Sequence, residues 1–535
     1  MHEMGRISLS VARIICVGGV LLMYTAAGSV EAAGEPAITD TTFPQFISGK
    51  ASLDRAFRIA IGDLVTNIAP YQAGLLDGKR HVILAGLDYG TPWTRDAALN
   101  TWNGVGLLYP DVTRDTLLSV LERRDGKVYI GDQYWDCIVW AVGAWTQYLY
   151  TGDKAFLLTA HDAVKNSLAY LEETEFDPGL GLFRGAASSS DGVAGYPALY
   201  AEPGGFSGIS EWPQKNPERR HPAGFGLPMH ALSTNCLYYR AYVLIQSMAM
   251  ELGLAVDPHW EAQANVLKQS VNERFWRSDA GLYRYLVDPF GGSDYVECLG
   301  QAYAILFGLS DESQTRRILV NQYIAPAGVP VLWPTFERYR IPDFRNAGQS
   351  GFGRHSGCIW PPFEAIWATT AKQHGRSDLF LRILEKTAEY ACRDNQFVEM
   401  YHPISGLPYG GLQEGRQDAR AGDIYGVVDG AYLIREWTAK ARQSWSASGY
   451  IRQIIHGLIG MEFGTEGIAF SPVLPEGSTD VHLTHLPYRN MMLHIHVTGR
   501  GTRAARFSVN DHPISQPFLP AGGQGDTDIL IELAE

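Results

Sequence analysis

Residues 88–104 read Asp88-Tyr-Gly-Thr-Pro-Trp93-Thr-Arg95-Asp96-Ala-Ala-Leu-Asn-Thr-Trp-Asn-Gly104, a polar and aromatic cluster that runs directly into an apolar helix. A helix start presents unpaired N–H groups and the positive end of its dipole, so it suits hydroxyls and anions. Trp93 offers a flat stacking face. Arg95 places a fork of donors beside the Asp96 carboxylate, and together they are equipped to hold a ring by neighbouring hydroxyls. The same Arg and Asp would also serve as a buried pair that steadies a helix start.

Working outward, apolar residues recur at helical spacing from residue 49 onward, each segment closing on a turn that contains Gly or Pro. The expected helices are 49–68, 94–108, 112–124, 134–150, 153–173, 230–252, 257–275, 294–308, 310–322, 357–374, 376–394 and 445–459. Turns such as Tyr-Thr-Gly-Asp at 150–153 and Glu-Leu-Gly-Leu at 251–254 are short enough to make consecutive helices antiparallel hairpins. A second repeat marks alternate helix starts, a polar residue followed by a small one: Asp96-Ala97, Asp136-Cys137, Asn235-Cys236, Glu297-Cys298, Gly357-Cys358 and Ser446-Ala447. Small side chains fit where helix ends crowd, which predicts an inner set of helices with converging N-termini. Periodicity alone leaves a closed ring and an open solenoid as alternatives. The long connections 69–93, 174–229, 323–356 and 395–444 all precede inner-helix starts, and loops of that length are commonly functional.

From about residue 463 the pattern changes to alternating runs, as in Val481-His-Leu-Thr-His-Leu and Met492-Leu-His-Ile-His-Val, so 463–535 is expected to be a small β domain. At the other end, Arg6 and Arg13 precede the apolar run Ile14 to Ala27 and the small residues near Ala33. That order predicts a signal peptide over 1–33, hence a secreted or periplasmic protein with its main domain over 34–462. No later apolar run reaches the ~18–20 residues of a membrane span. Of six cysteines, five lie beyond the leader, and their wide spacing gives no metal pattern, so they read as packing residues. A net charge of −13 argues against nucleic acid or an anionic membrane as partner and says nothing of neutral ligands. The Gly179-Leu-Gly-Leu-Phe-Arg-Gly run lacks the setting of a dinucleotide site, and no zinc-protease, P-loop or nucleophile-elbow motif is present.

With these motifs in place the chain resembles the six-hairpin glycosidases, whose catalytic domain is an (α/α)6 barrel with its site at the inner-helix N-termini. Trp93-Thr-Arg95-Asp96 is similar to the glucoamylase segment in which Arg and Asp hold the terminal glucose. Phe397-Val-Glu399-Met-Tyr-His-Pro-Ile-Ser-Gly406 resembles the run in trehalase-like and processing α-glucosidase-like enzymes where Glu is the general base. Gly357-Cys-Ile-Trp-Pro, Ser444-Trp-Ser-Ala-Ser-Gly and Phe470-Ser-Pro-Val-Leu-Pro resemble segments of disaccharide phosphorylases and α-L-rhamnosidases. The general acid of trehalase-like relatives is the Asp of Glu-Ser-Gly-Trp-Asp. Here the loop reads Phe206-Ser-Gly-Ile-Ser-Glu211-Trp212-Pro-Gln, so the resemblance passes the role to Glu211 by position.

Glycoside hydrolysis needs one protonated and one ionised carboxyl, and Glu211 with Glu399 would supply them. Glu399 stands among Phe397, Val398, Met400 and Tyr401, where an isolated carboxylate is costly unless partnered. Expected hydroxyl-binding residues are Trp93, Arg95, Asp96, Tyr134, Trp135, Asp136, Trp212, Glu297, Arg354, His355, Trp360 and Trp445; Asp136 and Glu297 read equally well as helix caps. The expectation is an exo-acting, inverting hydrolase of a terminal α-linked glucosyl unit, with a small carbohydrate as partner and neither cofactor nor metal. Two alternatives stand beside it: phosphorolysis, with Arg354, His355 and Ser446–Gly449 cradling phosphate, and a sugar-binding barrel without catalysis.

Overall fold

The computed structural model describes residues 43–131, 134–201, 206–340, 342–343, 349–415, 424–428 and 432–534, and Thr42–Glu535 packs as one compact unit. The expected leader lies outside the described residues. Among the described residues, twelve helices carry the fold: α1 Ala51–Thr66, α2 Thr94–Asn100, α3 Pro110–Ser119, α4 Trp140–Thr151, α5 Lys154–Glu175, α6 Leu232–Glu251, α7 Pro258–Phe275, α8 Cys298–Leu306, α9 Glu312–Asn321, α10 Pro361–Gln373, α11 Ser377–Asp394 and α12 Ser444–Arg452. The expected 112–124 helix stops at Ser119, and Leu121–Arg124 instead pairs with Lys127–Ile130 as a hairpin.

The even-numbered helices are the inner set. α4 is buried on every side, from Trp140 through Tyr150, as a helix surrounded by others must be. Each inner helix packs on the next, α2 on α4, α4 on α6, α6 on α8, α8 on α10 and α10 on α12, and α12 packs back on α2. Small residues set the close approaches: a Cβ added at Gly143 of α4 would sit 2.6 Å from the Ala98 Cα of α2.

Side-chain caps occur on half of the outer helices, α1, α3 and α11 having none. Outer helices α5, α7 and α9 are capped by Asp153, Asp257 and Asp311, whose side chains accept backbone N–H bonds. None of the inner helices has a side-chain cap. The acidic residues near these starts, Asp96, Asp136 and Glu297, do not cap them.

A six-stranded sheet closes the chain. Its strands are β1 Gln45–Ile47, β2 Asp480–Tyr488, β3 Met491–Gly499, β4 Arg503–Val509, β5 His512–Pro513 and β6 Gly525–Ala534, in the order β1-β2-β3-β6-β4-β5. Only β3 and β6 run parallel. β1 precedes the first helix, so the sheet ties together segments from both sides of the helical body. Alternation is clear in β3, where Met491, Leu493, Ile495 and Val497 are buried and the residues between them are not. The turn between β2 and β3 docks on α4, the Arg489 N–H donating to the Tyr150 carbonyl at 2.9 Å. The five cysteines of the described chain form no disulfide with one another, and four of them are buried; no helix among the described residues is long and apolar enough to cross a membrane.

Candidate active site

A cavity of about 140 Å³ opens where the inner helices begin. All four long connections reach it: Ala85, Tyr89 and Trp93 from the first, Ser189 and Asp191 from the second, Arg354 and His355 from the third, Glu399 and Gln443 from the fourth. Arg95, Asp96, Tyr134, Trp360 and Trp445 complete the wall. An apolar cavity of about 150 Å³ holds a benzene-sized molecule, so this one matches a single ring.

Asp96 and Glu399 share this cavity, although they lie far apart in the chain. Glu399 is 2% exposed and fully engaged. Its Oε1 accepts from Arg354 Nη2 at 2.6 Å and its Oε2 from the Lys440 N–H at 3.2 Å. The Arg354 guanidinium lies 5.3 Å from the ring centres of both Trp360 and Trp437 and also donates to the Gly410 carbonyl. Asp96 has no such cation of its own, because the neighbouring Arg95 turns to Asp136, with Nε to Oδ2 at 2.9 Å and Nη2 to Oδ1 at 3.2 Å. Burial therefore raises the Asp96 carboxyl to about 7, against the attraction of Arg95 and with help from Asp191. Trp93 stacks on Tyr134 at 6.1 Å, and Arg95 lies 5.1 Å from the Tyr134 ring centre.

Asp191 is the carboxylate that reading the sequence missed. It follows Ser188-Ser189-Ser190 in a loop whose residues 181–190 are all buried. Its Oδ1 lies 3.4 Å from His355 Nε2 and its Oδ2 3.8 Å from Arg95 Nη1, while its side chain stays 41% exposed toward the opening. Burial favours the protonated acid, but His355, Arg95 and Arg354 outweigh it and hold the carboxyl below its usual range. Burial also pushes the His355 imidazole down to about 4.

The loop carrying Asp191 is fastened at almost every residue. Ser188 Oγ donates to Asp136 Oδ2 at 2.6 Å and Ser189 Oγ to Glu297 Oε1. The Ser188 N–H donates to Ser233 Oγ, and Thr234 Oγ1 to the Ala186 carbonyl. Asp136 and Glu297 thus neither cap their helices nor line the cavity. They stand behind it and hold the residues that do, and burial raises the Glu297 carboxyl to about 7.

Of the residues singled out in the sequence, Trp93, Arg95, Asp96, Tyr134, Arg354, His355, Trp360, Trp445 and Glu399 line the cavity. Trp135, Asp136, Glu211, Trp212 and Glu297 do not. Trp135 is fully buried in the core. Trp212 is buried against Tyr200, its indole N–H donating to the Leu199 carbonyl at 3.2 Å. That anchoring leaves the adjacent Glu211 exposed on a short turn, where it accepts a long hydrogen bond, 3.3 Å, from the Gly208 N–H.

Helical hairpins whose long connections meet at a ring-sized cavity between carboxylates define the six-hairpin glycosidases as the class. Residues 133–418, just over half of the chain, match the mannosylglycerate hydrolase MGH1-like glycoside hydrolase domain, and the chain belongs to that family. No curated protein matches the sequence. Among solved structures, the chain is similar to a sialidase at 14% identity and a TM-score of 0.58, covering 84% of this chain and 37% of that one. It is also similar to the GH78 family rhamnosidase of a Bacillus species, at 13% identity and a TM-score of 0.52, covering 92% and 44% of the two chains. The chain thus spans less than half the length of these two. The GH63 mannosylglycerate hydrolase from Thermus thermophilus, in complex with glucose, is similar over 75% of this chain and 99% of its own, at 14% identity and a TM-score of 0.52. At these identities the likeness is one of fold.

Proposed function

We propose that the protein hydrolyses glycosides as an exo-acting, inverting enzyme that removes one terminal α-linked hexosyl unit, with Asp191 as general acid and Glu399 as general base. The observation that carries this reading is that Asp191 and Glu399 come from different loops to one ring-sized cavity that also holds Trp93, Arg95 and Asp96. Return of α12 onto α2 supports a closed (α/α)6 barrel as the scaffold.

Glu399, held by Arg354 and a backbone N–H, is kept ready to take a proton from water. Asp191 must instead deliver one. Its exposed face is covered when substrate enters, and that added burial works against Arg95, Arg354 and His355, which now hold it ionised. Asp96 accepts sugar hydroxyls best when ionised, so substrate favours release of the proton it carries near neutral pH. Arg354 is committed to Glu399, which favours water over phosphate as the acceptor.

The likeness of Trp93–Asp96 to the glucoamylase segment supports an α-glucosyl unit, and the family's mannosylglycerate hydrolase description supports α-mannosyl as a second reading. Turnover of p-nitrophenyl α-glucoside, p-nitrophenyl α-mannoside and mannosylglycerate, with and without phosphate, separates these. Proton spectra taken before mutarotation should show the β-anomer first; the α-anomer first would mean retention. The leader-like first 33 residues support export to the periplasm or medium, and N-terminal sequencing of exported protein beginning near Ala33 tests it. Division into a helical domain over 34–462 and a β domain over 463–535 belongs to the same reading.

A further inference from the structure

The terminal sheet turns a row of histidines outward, and its packing does not account for them. β2 and β3 pair antiparallel with His482 directly opposite His496. Alternate residues of a strand share a face, so Asp480, two residues before His482, stands on the same side. The buried neighbours Val481, Leu483, Ile495 and Val497 already supply the apolar face of this hairpin. The imidazoles of His482 and His496 stack at 4.1 Å with planes 15° apart. Asp480 Oδ1 lies 3.2 Å from His482 Nε2 and 2.5 Å from His496 Nε2. One nitrogen or oxygen from each of the three lies within 4.8 Å of the others.

Two imidazoles and a carboxylate converging on one point are a donor set for a borderline-soft cation. Zinc takes nitrogen at about 2.0–2.1 Å and carboxylate oxygen at about 2.0–2.2 Å, which sets tetrahedral ligand atoms about 3.3 Å apart. The three side chains are 38%, 38% and 63% exposed, so small χ rotations reach that spacing without moving the strands. Magnesium and calcium prefer oxygen-only shells, which this cluster does not offer.

We propose that Asp480, His482 and His496 form a binding site for a divalent transition cation of the zinc class, with three protein ligands and the remaining position open to solvent. The ion replaces the hydrogen bonds that Asp480 now accepts and fastens the start of β2 to the end of β3. Because β1 pairs on the other edge of β2, with Ile47 opposite His482, the clamp also steadies the strand that precedes the helical body. The next rung, where the His485 and His494 rings meet edge to face at 4.9 Å, provides an internal control.

Calorimetric titration of the untagged full chain with zinc chloride, and separately with magnesium chloride, tests the proposal. We expect one zinc ion per chain with a dissociation constant in the micromolar range or tighter, no magnesium binding, and a zinc-dependent rise in melting temperature. His482→Ala and His496→Ala, whose folding is checked by circular dichroism, should each weaken zinc binding at least tenfold and abolish that rise. His494→Ala should stay within twofold of the parent. Zinc binding unchanged within twofold in the His482→Ala/His496→Ala double variant, or none below millimolar zinc in the parent, overturns the assignment.

Discussion

The inner helices line a cavity near each end; both have aromatic walls, and their carboxylates are placed differently. Toward the C-terminal ends a cavity of about 320 Å³ is lined by Trp102, Trp145, Arg240, Phe307, Arg452 and His456, among others. It is larger than the cavity at the helix starts. Among the described residues its one lining carboxylate, Glu462, is exposed. Burial lowers Arg452 there to about 10, and its guanidinium lies 4.5 Å from the Trp102 ring centre. At the helix starts, Arg95 and Arg354 are each paired with a buried carboxylate, while the carboxyls of Asp191 and Asp96 face the space. Volume and aromatic walls therefore do not make an active site. The cavity at the helix starts differs in carrying several carboxylates that face its space.

The largest effect should follow Glu399→Gln. Removing the base should lower kcat by ~10²–10⁴-fold, measured as steady-state turnover of the best glycoside, with little change in KM. Next is Asp136→Ala, which leaves buried Arg95 with only the longer contact to Asp191 and should cost up to about 3–5 kcal/mol of stability in a denaturant titration. It also frees Ser188, so kcat falls even where the variant is folded.

Asp96→Asn should weaken sugar binding by roughly 1.5–3 kcal/mol for each charged hydrogen bond lost. The sign of its pH dependence follows from the raised carboxyl. Protonation below about 7 removes the form that best accepts hydroxyls, so KM should rise as pH falls through that value in the parent and stay flat in the variant. The smallest effect should come from the other cavity: Arg240→Gln should leave kcat and KM within twofold, and a tenfold loss would place chemistry at the wrong end.

Much of this was legible in the chain. The existence of the twelve main helices was, because their apolar spacing is local and their packing repeats it, although those expected from 134, 294 and 357 begin at Trp140, Cys298 and Pro361. Glu399 was also legible, since a carboxylate among Phe397, Val398, Met400 and Tyr401 has no cheap explanation in a core. Asp191 was not, because Ser-Ser-Ser-Asp-Gly has the composition of a solvated loop. Its burial comes from distant partners, Asp136, Glu297, Ser233 and Thr234, that no local pattern reveals. The same blindness favoured Glu211, whose neighbour Trp212 marks a packing anchor. Asp136 and Glu297 were placed at the right helix ends, yet their bonds run to the serines before Asp191 rather than to sugar or helix N–H groups.

Leaving-group dependence in two variants tests the assignment of the acid most directly. With Asp191→Asn and Glu211→Gln in hand, kcat/KM is measured on a glycoside with an activated aryl leaving group and on one with an alkyl leaving group. Loss of the acid should cost Asp191→Asn ~10²–10⁴-fold on the alkyl glycoside and far less on the aryl one, while Glu211→Gln behaves as the parent on both. Equal losses on both substrates in Asp191→Asn, or the selective loss appearing in Glu211→Gln, would contradict the account.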